Sequence, residues 1–337
     1  MITSNRRFGI EIEFVAPSAT ALDKIRGRLN VVDDGSLRPL LNAGEYVSDV
    51  LRGEDGERSV EYACEILKKH GAHSSDIKTS VHVHLDGMKS QHVLRSTKDF
   101  SKIPTNQAVY SLSSRMKKTL SEAHFAAAGR EGRLQYLNPN DNYVTSSIGN
   151  VLYFSSVTLT RTPSINYTYY WIETPDRFKW LRNVFYFYTQ FSSVMDSIVS
   201  NSRRCGNMYC IPLAKSYELS EIEKCKSVED IAQVWYKGRG MGNHYDDSRY
   251  HNVNLHSFFE RLGTVEIRSH GGTIDPLKIL LWIKLHQKIV DKLEDMELED
   301  IKFEGNLYKE FVDFVEEPVL QAYVKRLLCY YSNITVK

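Results

Sequence analysis

Three short segments of this 337-residue chain set acids, imidazoles and a guanidinium at every second position. In Gly9-Ile10-Glu11-Ile12-Glu13-Phe14, a strand would turn Glu11 and Glu13 to one face and the apolar residues to the other, with the two acidic Cα atoms about 7 Å apart. His82 and His84 alternate in the same way with Val81, Val83 and Leu85, and Glu266, Arg268 and His270 alternate with Val265 and Ile267. A strand with water on one side also alternates, but its wet face is usually Thr, Lys, Ser or Gln. If these three polar faces converge, neighbouring carboxylates repel one another and need counter-charge, for which a divalent cation is the strongest local source. Hard oxygens plus an imidazole suit Mg²⁺ or Mn²⁺, whereas the lack of HExxH spacing and of paired cysteines gives zinc less support. Two further acids stand nearby in pattern: Asp34, in the turn signal Asp33-Asp34-Gly35-Ser36, and Glu45, among apolar neighbours in the strand-like Gly44-Glu45-Tyr46-Val47.

The elements that must carry these residues follow from periodicity and punctuation. Alternation predicts strands over 7–15 and 77–85, and helical spacing predicts 19–29, introduced by Ser18, and 57–70, ended by Gly71. A long helix is expected over 106–128, a turn cluster at 138–142, and strands over 151–160 and 167–173. Pro175-Asp176-Arg177 opens an apolar helix to about 199, and 228–236 reads as a short helix before the glycine-rich 237–243, a flexible loop or a lid. Segments 250–258 and 263–270 read as an antiparallel strand pair, Asp275-Pro276 caps a helix through Leu293, and a last helix covers 307–331. The expected class is α+β: one catalytic domain over 1–300, with a C-terminal helix in 301–337 packed on it.

Composition narrows the function. Lys plus Arg number 43 against 42 Asp plus Glu, so the formal charge of +1 gives no electrostatic reason for nucleic-acid or membrane-surface binding. The first residues lack the apolar core of a secretory signal, and the apolar stretch 279–290 is interrupted by Lys284, His286 and Lys288, so no membrane span is expected. Five cysteines without CxxC spacing favour free thiols in a reducing cytoplasm. Neither GxxxxGK[ST] nor GxSxG occurs, and Gly238-x-Gly240-x-Gly242 does not complete GxGxxG.

The ordered set GIEIEF, DDGSL, GEYVS, SVHVHLDG, SNSRRCGNMYC, RYHNVNL and TVEIRSHGGTID resembles the putative amidoligase family over about residues 7–290. That family belongs to the carboxylate–amine ligases related to glutamine synthetase and glutamate–cysteine ligase. The resemblance implies a curved, mainly antiparallel, glutamine synthetase-like sheet lining an ATP cleft, with peripheral helices. It implies ATP and two or more Mg²⁺ or Mn²⁺ ions as cofactors, held by Glu11, Glu13, Glu45, His84 and Glu266. Arg268 would face the transferring phosphate, and Arg203 or Arg204 would bind phosphate or a substrate carboxylate. Asp34, His82, Asn254 and His270 are secondary candidates for substrate contact.

The implied reaction joins a small-molecule or peptide carboxylate to an amine acceptor through an acyl phosphate, giving an amide, a γ-glutamyl or peptide bond among them. Rival readings are a metal-dependent hydrolase built on the HVH pair and the glutamates, and a catalytically silent binding relative. Neither the substrates nor the oligomeric state is legible in the chain. On this reading Glu11→Gln and Glu266→Gln abolish ATP turnover and leave the metal-free melting temperature unchanged or higher, because a crowded acidic cluster is relieved.

Overall fold

The computed structural model describes residues 4, 6–37, 40–74, 78–87, 177–204, 206–239, 245–260 and 263–336, and the backbone of five strands between 95 and 173. The chain divides into two compact units, one of residues 1–87, 178–260 and 264–337, the other of 88–177 and 261–263.

In the first unit, alternating sequences form the strands β1 (Phe8–Val15), β2 (Val31–Val32), β3 (Ala43–Val47) and β4 (Ser80–Asp86). The second unit contributes β5 (Arg95–Thr97), β6 (Tyr110–Ser111), β7 (Asn142–Ile148), β8 (Val151–Thr158) and β9 (Asn166–Glu173). These five pair antiparallel in the order β5-β9-β8-β7-β6. Two later strands, β10 (Val253–Asn254) and β11 (Thr264–Gly271), return to the first unit and complete an antiparallel six-stranded sheet, β10-β11-β4-β1-β3-β2. The architecture is therefore α+β, with an open six-stranded sheet, as the patterning predicts.

One face of that sheet is apolar over most of its length: Ile10, Ile12, Phe14, Val81, Val83, Leu85, Val253, Val265 and Ile267 are all buried. Covering that much hydrocarbon requires helices. In chain order they are α1 (Ala19–Arg26), α2 (Gly53–Lys69), α3 (Arg177–Gln190), α4 (Ser192–Ser197), α5 (Leu219–Glu223), α6 (Val228–Trp235), α7 (His256–Glu260), α8 (Pro276–Asp295), α9 (Leu307–Val315) and α10 (Pro318–Ser332). Helix α8 lies against both β4 and α2. Helix α3 is buried almost all round, and its Asn183 donates to the carbonyls of Leu293 and Met296, closing the otherwise unpaired end of α8. Among the described residues, no helix is long and apolar enough to cross a membrane.

Several boundaries differ from the sequence reading for identifiable reasons. The expected strand 250–258 shrinks to Val253–Asn254, because the Asn254 side chain accepts the His256 N–H and turns the chain into α7. The helix expected over 175–199 breaks at Phe191, where Thr189 and Ser192 hydroxyls bond back to the Phe185 and Tyr188 carbonyls. The C-terminal helix is two helices, because Glu316 takes a left-handed φ of 60° just before Pro318, which cannot continue α9. The helix expected over 106–128 and the turn core at 138–141 lie outside the described residues.

Candidate functional site

The register of the first sheet gathers the polar positions into one field. Antiparallel pairing sets Glu13 opposite Glu45 and Glu11 opposite His82. It sets Glu266 opposite His84 on one side and opposite Asn254 on the other. Because side chains directly opposite share a face, five strands together present Glu11, Glu13, Glu45, His82, His84, Asn254 and Glu266 on the side away from the core.

Contacts within this field are close. The Nδ1 atom of His82 lies 2.9 Å from Glu11 Oε2 and 3.3 Å from Glu266 Oε1, while His84 Nε2 lies 3.2 Å from Glu11 Oε1. Arg268 Nη1 donates to Glu266 Oε1 at 2.6 Å, and Asn254 Nδ2 donates to Glu266 Oε2 at 2.7 Å. Glu13 accepts the Ser80 N–H at 2.6 Å. Glu13, His82, Asn254 and Glu266 are buried, whereas Glu11, Asp34, Glu45, His84 and Arg268 keep some contact with solvent. Three sets each bring one ligand atom per residue within 4.8 Å of the others: Glu11, His84 and Glu266; Glu11, Glu45 and His82; Glu13, Asp34 and Glu45.

Charge is unevenly balanced across the field. Burial alone would raise Glu11, but the imidazoles of His84 and His82 outweigh it and hold its carboxyl well below the usual range. Burial likewise opposes ionisation of Glu266, and Arg268, followed by the two imidazoles, more than cancels it. The His84 imidazole would be depressed by burial, yet Glu11 and Glu266 raise it overall. At the other end, burial and the charges of Glu11, Asp34, Glu13 and Glu266 push Glu45 up to about 9. Among the described residues, neither Glu13 nor Glu45 has an ion-pair partner.

Three expected residues are placed otherwise. His270 leaves the Glu266 face because one extra residue is accommodated between Ile267 and His270, a bulge that pairs His270 with core-facing Val81. Its ring then stacks edgewise on Trp282 at 5.1 Å, and burial pushes it down to about 4. The bulge is stitched down by the Arg268 N–H donating to the Asn252 carbonyl at 2.8 Å. Arg204 is committed elsewhere, donating to the Val199 and Tyr331 carbonyls and the Ser332 hydroxyl, so it ties down the end of α10. Arg203 is buried and donates to the Thr79 carbonyl beside β4. Asp34 spends its carboxylate on the Ser36 N–H and hydroxyl, yet still reaches the Glu13 and Glu45 set.

Ser80 and Thr264 were missed by the sequence reading. Ser80 Oγ lies 2.9 Å from His82 Nε2, and Thr264 Oγ1 lies 3.0 Å from His84 Nδ1. The available signal was the same alternation, since each stands two residues before a charged or imidazole neighbour on its own strand.

No curated protein and no solved structure matches the chain. A family model described as putative amidoligase enzyme matches residues 172–290, which include β10 and β11 but not β1, β3 or β4. That match supports the resemblance carried by the motifs and covers the segment bearing Asn254, Glu266 and Arg268.

Proposed function

We propose that the protein is an ATP-dependent carboxylate–amine ligase whose active site is the polar face of the six-stranded sheet. The observation that carries this reading is the juxtaposition of two differently charged ends. At one, Glu11 and Glu266 lie against His82, His84 and the Arg268 guanidinium; at the other, Glu13, Asp34 and Glu45 lack a cation among the described residues. Carboxylate oxygens with one or two imidazoles are a donor set that fits Mg²⁺ or Mn²⁺, and the high proton affinity of Glu45 marks where positive charge is wanted. Glu11, Glu13, Glu45, His84 and Glu266 would hold such ions. Bound there, divalent ions would supply neutralisation of nucleotide phosphate oxygens, the main need of phosphoryl transfer.

The chain's own groups have definite tasks in this scheme. Arg268 presents a planar fork, anchored through Nη1 on Glu266, that suits an anionic phosphoryl or carboxylate oxygen better than a lysine would. Glu266, gripped by Asn254 and Arg268, is fixed in orientation before any ligand arrives. A substrate carboxylate oxygen attacks the γ-phosphorus of ATP, the bond to ADP breaks, and an acyl phosphate forms. An amine nitrogen then attacks the acyl carbon, phosphate departs, and the nitrogen loses its proton to give the amide. No nucleophile from the protein is consumed, which agrees with the lack of GxSxG and of a P-loop in the sequence. The family implies small-molecule substrates, an acid and an amine, whose identity the test below must find.

The test is ADP release measured over panels of carboxylates and amines, with amide product identified by mass spectrometry. Glu11→Gln and Glu266→Gln are each expected to lower turnover at least about 100-fold, the scale of losing one preorganised electrostatic group. Near-normal turnover in either variant removes that residue from the active site. ADP release that never depends on an amine removes the ligase.

A further inference from the structure

His82 and His84 stand two residues apart on β4, yet they turn different ring nitrogens toward Glu11: Nδ1 from His82 at 2.9 Å and Nε2 from His84 at 3.2 Å. Each outer nitrogen meets a buried hydroxyl. His82 Nε2 is 2.9 Å from Ser80 Oγ, and His84 Nδ1 is 3.0 Å from Thr264 Oγ1. Both hydroxyls sit on firmly held backbone. The Ser80 N–H donates to Glu13, and the Thr264 carbonyl accepts the Ser257 hydroxyl at 2.6 Å. The register explains the reach of Thr264: Glu266 is directly opposite His84, so Thr264, two residues earlier on the same face, is its diagonal neighbour.

An imidazole that offers a lone pair through one nitrogen must carry its proton on the other, and whatever accepts that proton decides which nitrogen is offered. We infer that Ser80 and Thr264 are positioning residues whose hydroxyls accept the outer N–H of His82 and His84, so that His82 offers Nδ1 and His84 offers Nε2 to a divalent cation. This rests on the metal-binding reading above and adds the residues that fix ring orientation. The two rings then present lone pairs beside different oxygens of Glu11, Oε2 for His82 and Oε1 for His84.

The test uses the full chain and Mn²⁺ as the probe. Mn²⁺ affinity is read by electron paramagnetic resonance, and ring protonation by long-range ¹H–¹⁵N correlation in the protein loaded with diamagnetic Mg²⁺, because without a cation each inner nitrogen would keep its proton on the Glu11 carboxylate. Thr264→Val, which keeps the shape, is expected to weaken Mn²⁺ binding roughly 10–100-fold, with Thr264→Ser restoring it to within about threefold. The wild-type spectra should show His84 protonated on Nδ1 and His82 on Nε2, with Thr264→Val moving the His84 proton toward Nε2. Should Thr264→Val not fold, Ser80→Ala, which removes one oxygen, carries the same measurements at His82. Unchanged spectra and affinity in these variants overturn the role of the hydroxyls. A wild-type chain that binds neither Mn²⁺ nor Mg²⁺ overturns the metal reading and this inference with it, an outcome distinct from a wild-type chain that binds the ion and variants that match it.

Discussion

Glu45 and Glu266 are carboxylates on one sheet face, and their neighbours give them opposite effects on folding. Glu266 is ionised by its partners, with Arg268 and Asn254 both donating to it. Removing its charge strands a guanidinium that is itself largely buried, so Glu266→Gln is expected to cost on the order of 3 kcal/mol of metal-free stability. This reverses the sequence-based expectation of an unchanged or higher melting temperature, because the relief of repulsion belongs to Glu45 instead. The Glu45 carboxyl is raised from 4.5 to about 9, so in the folded chain it holds a proton that the unfolded chain gives up. Its contribution to stability is fully present below pH 4.5 and is lost as pH rises through about 9. Glu45→Gln should therefore match wild type near pH 4 and become more stable as pH rises, by up to about 3 kcal/mol at pH 7. Denaturant titrations of the metal-free proteins across this range check it, and parallel curves for the two proteins would show that Glu45 does not feel its neighbours' charge.

At the scale of elements, the site depends on how closely β3 can approach β1 and β2. Gly44 precedes Glu45 and faces the core opposite Phe14, and a Cβ there would lie 2.8 Å from Val31 Cγ1 and 3.4 Å from Phe14 and Leu22. Gly44→Ala must displace Val31 on the two-residue edge strand, a strain of about 1–3 kcal/mol. Val31→Ala removes the clashing atom, so the double variant should recover most of the loss in chemical denaturation, and additive losses would refute the clash. Such close approach is invisible in sequence, where Gly44 reads only as the start of a strand-like segment. What was legible is what strict alternation controls: strands β1 and β4 to within a few residues, their apolar face, and the meeting of Glu11, Glu13, His82, His84 and Glu266. Alternation also misled. It kept His270 beside Glu266, and only the bulge after Ile267, fixed by the Arg268-to-Asn252 backbone bond, turns that ring to the core. Arg204 failed for a related reason: two adjacent arginines look equivalent in a motif, and only the fold brings the end of α10 against one of them.

Across the whole molecule, the acidic field is assembled from residues 11 to 266, so it exists only in the folded chain. A cation bound there stabilises the fold by mass action, about 2.7 kcal/mol when its concentration is 100 times the dissociation constant. The same sites must lose protons to bind it, and Glu45 is the group that holds one most tightly at neutral pH. Two slopes of opposite sign follow. Without metal, Glu45 makes stability fall as pH rises from about 5 to 9; with saturating Mn²⁺ the gain over the metal-free protein widens over the same interval, because fewer protons must be displaced. Melting curves with Mn²⁺, against KCl of equal ionic strength, separate this from general screening, which acts weakly on buried groups. Glu11→Gln is the decisive control, since Glu11 belongs to two of the three ligand sets while contacting both imidazoles. An Mn²⁺ shift that survives in Glu11→Gln, or that KCl reproduces, would place the cation away from this sheet, and the charge imbalance between its two ends would need another explanation.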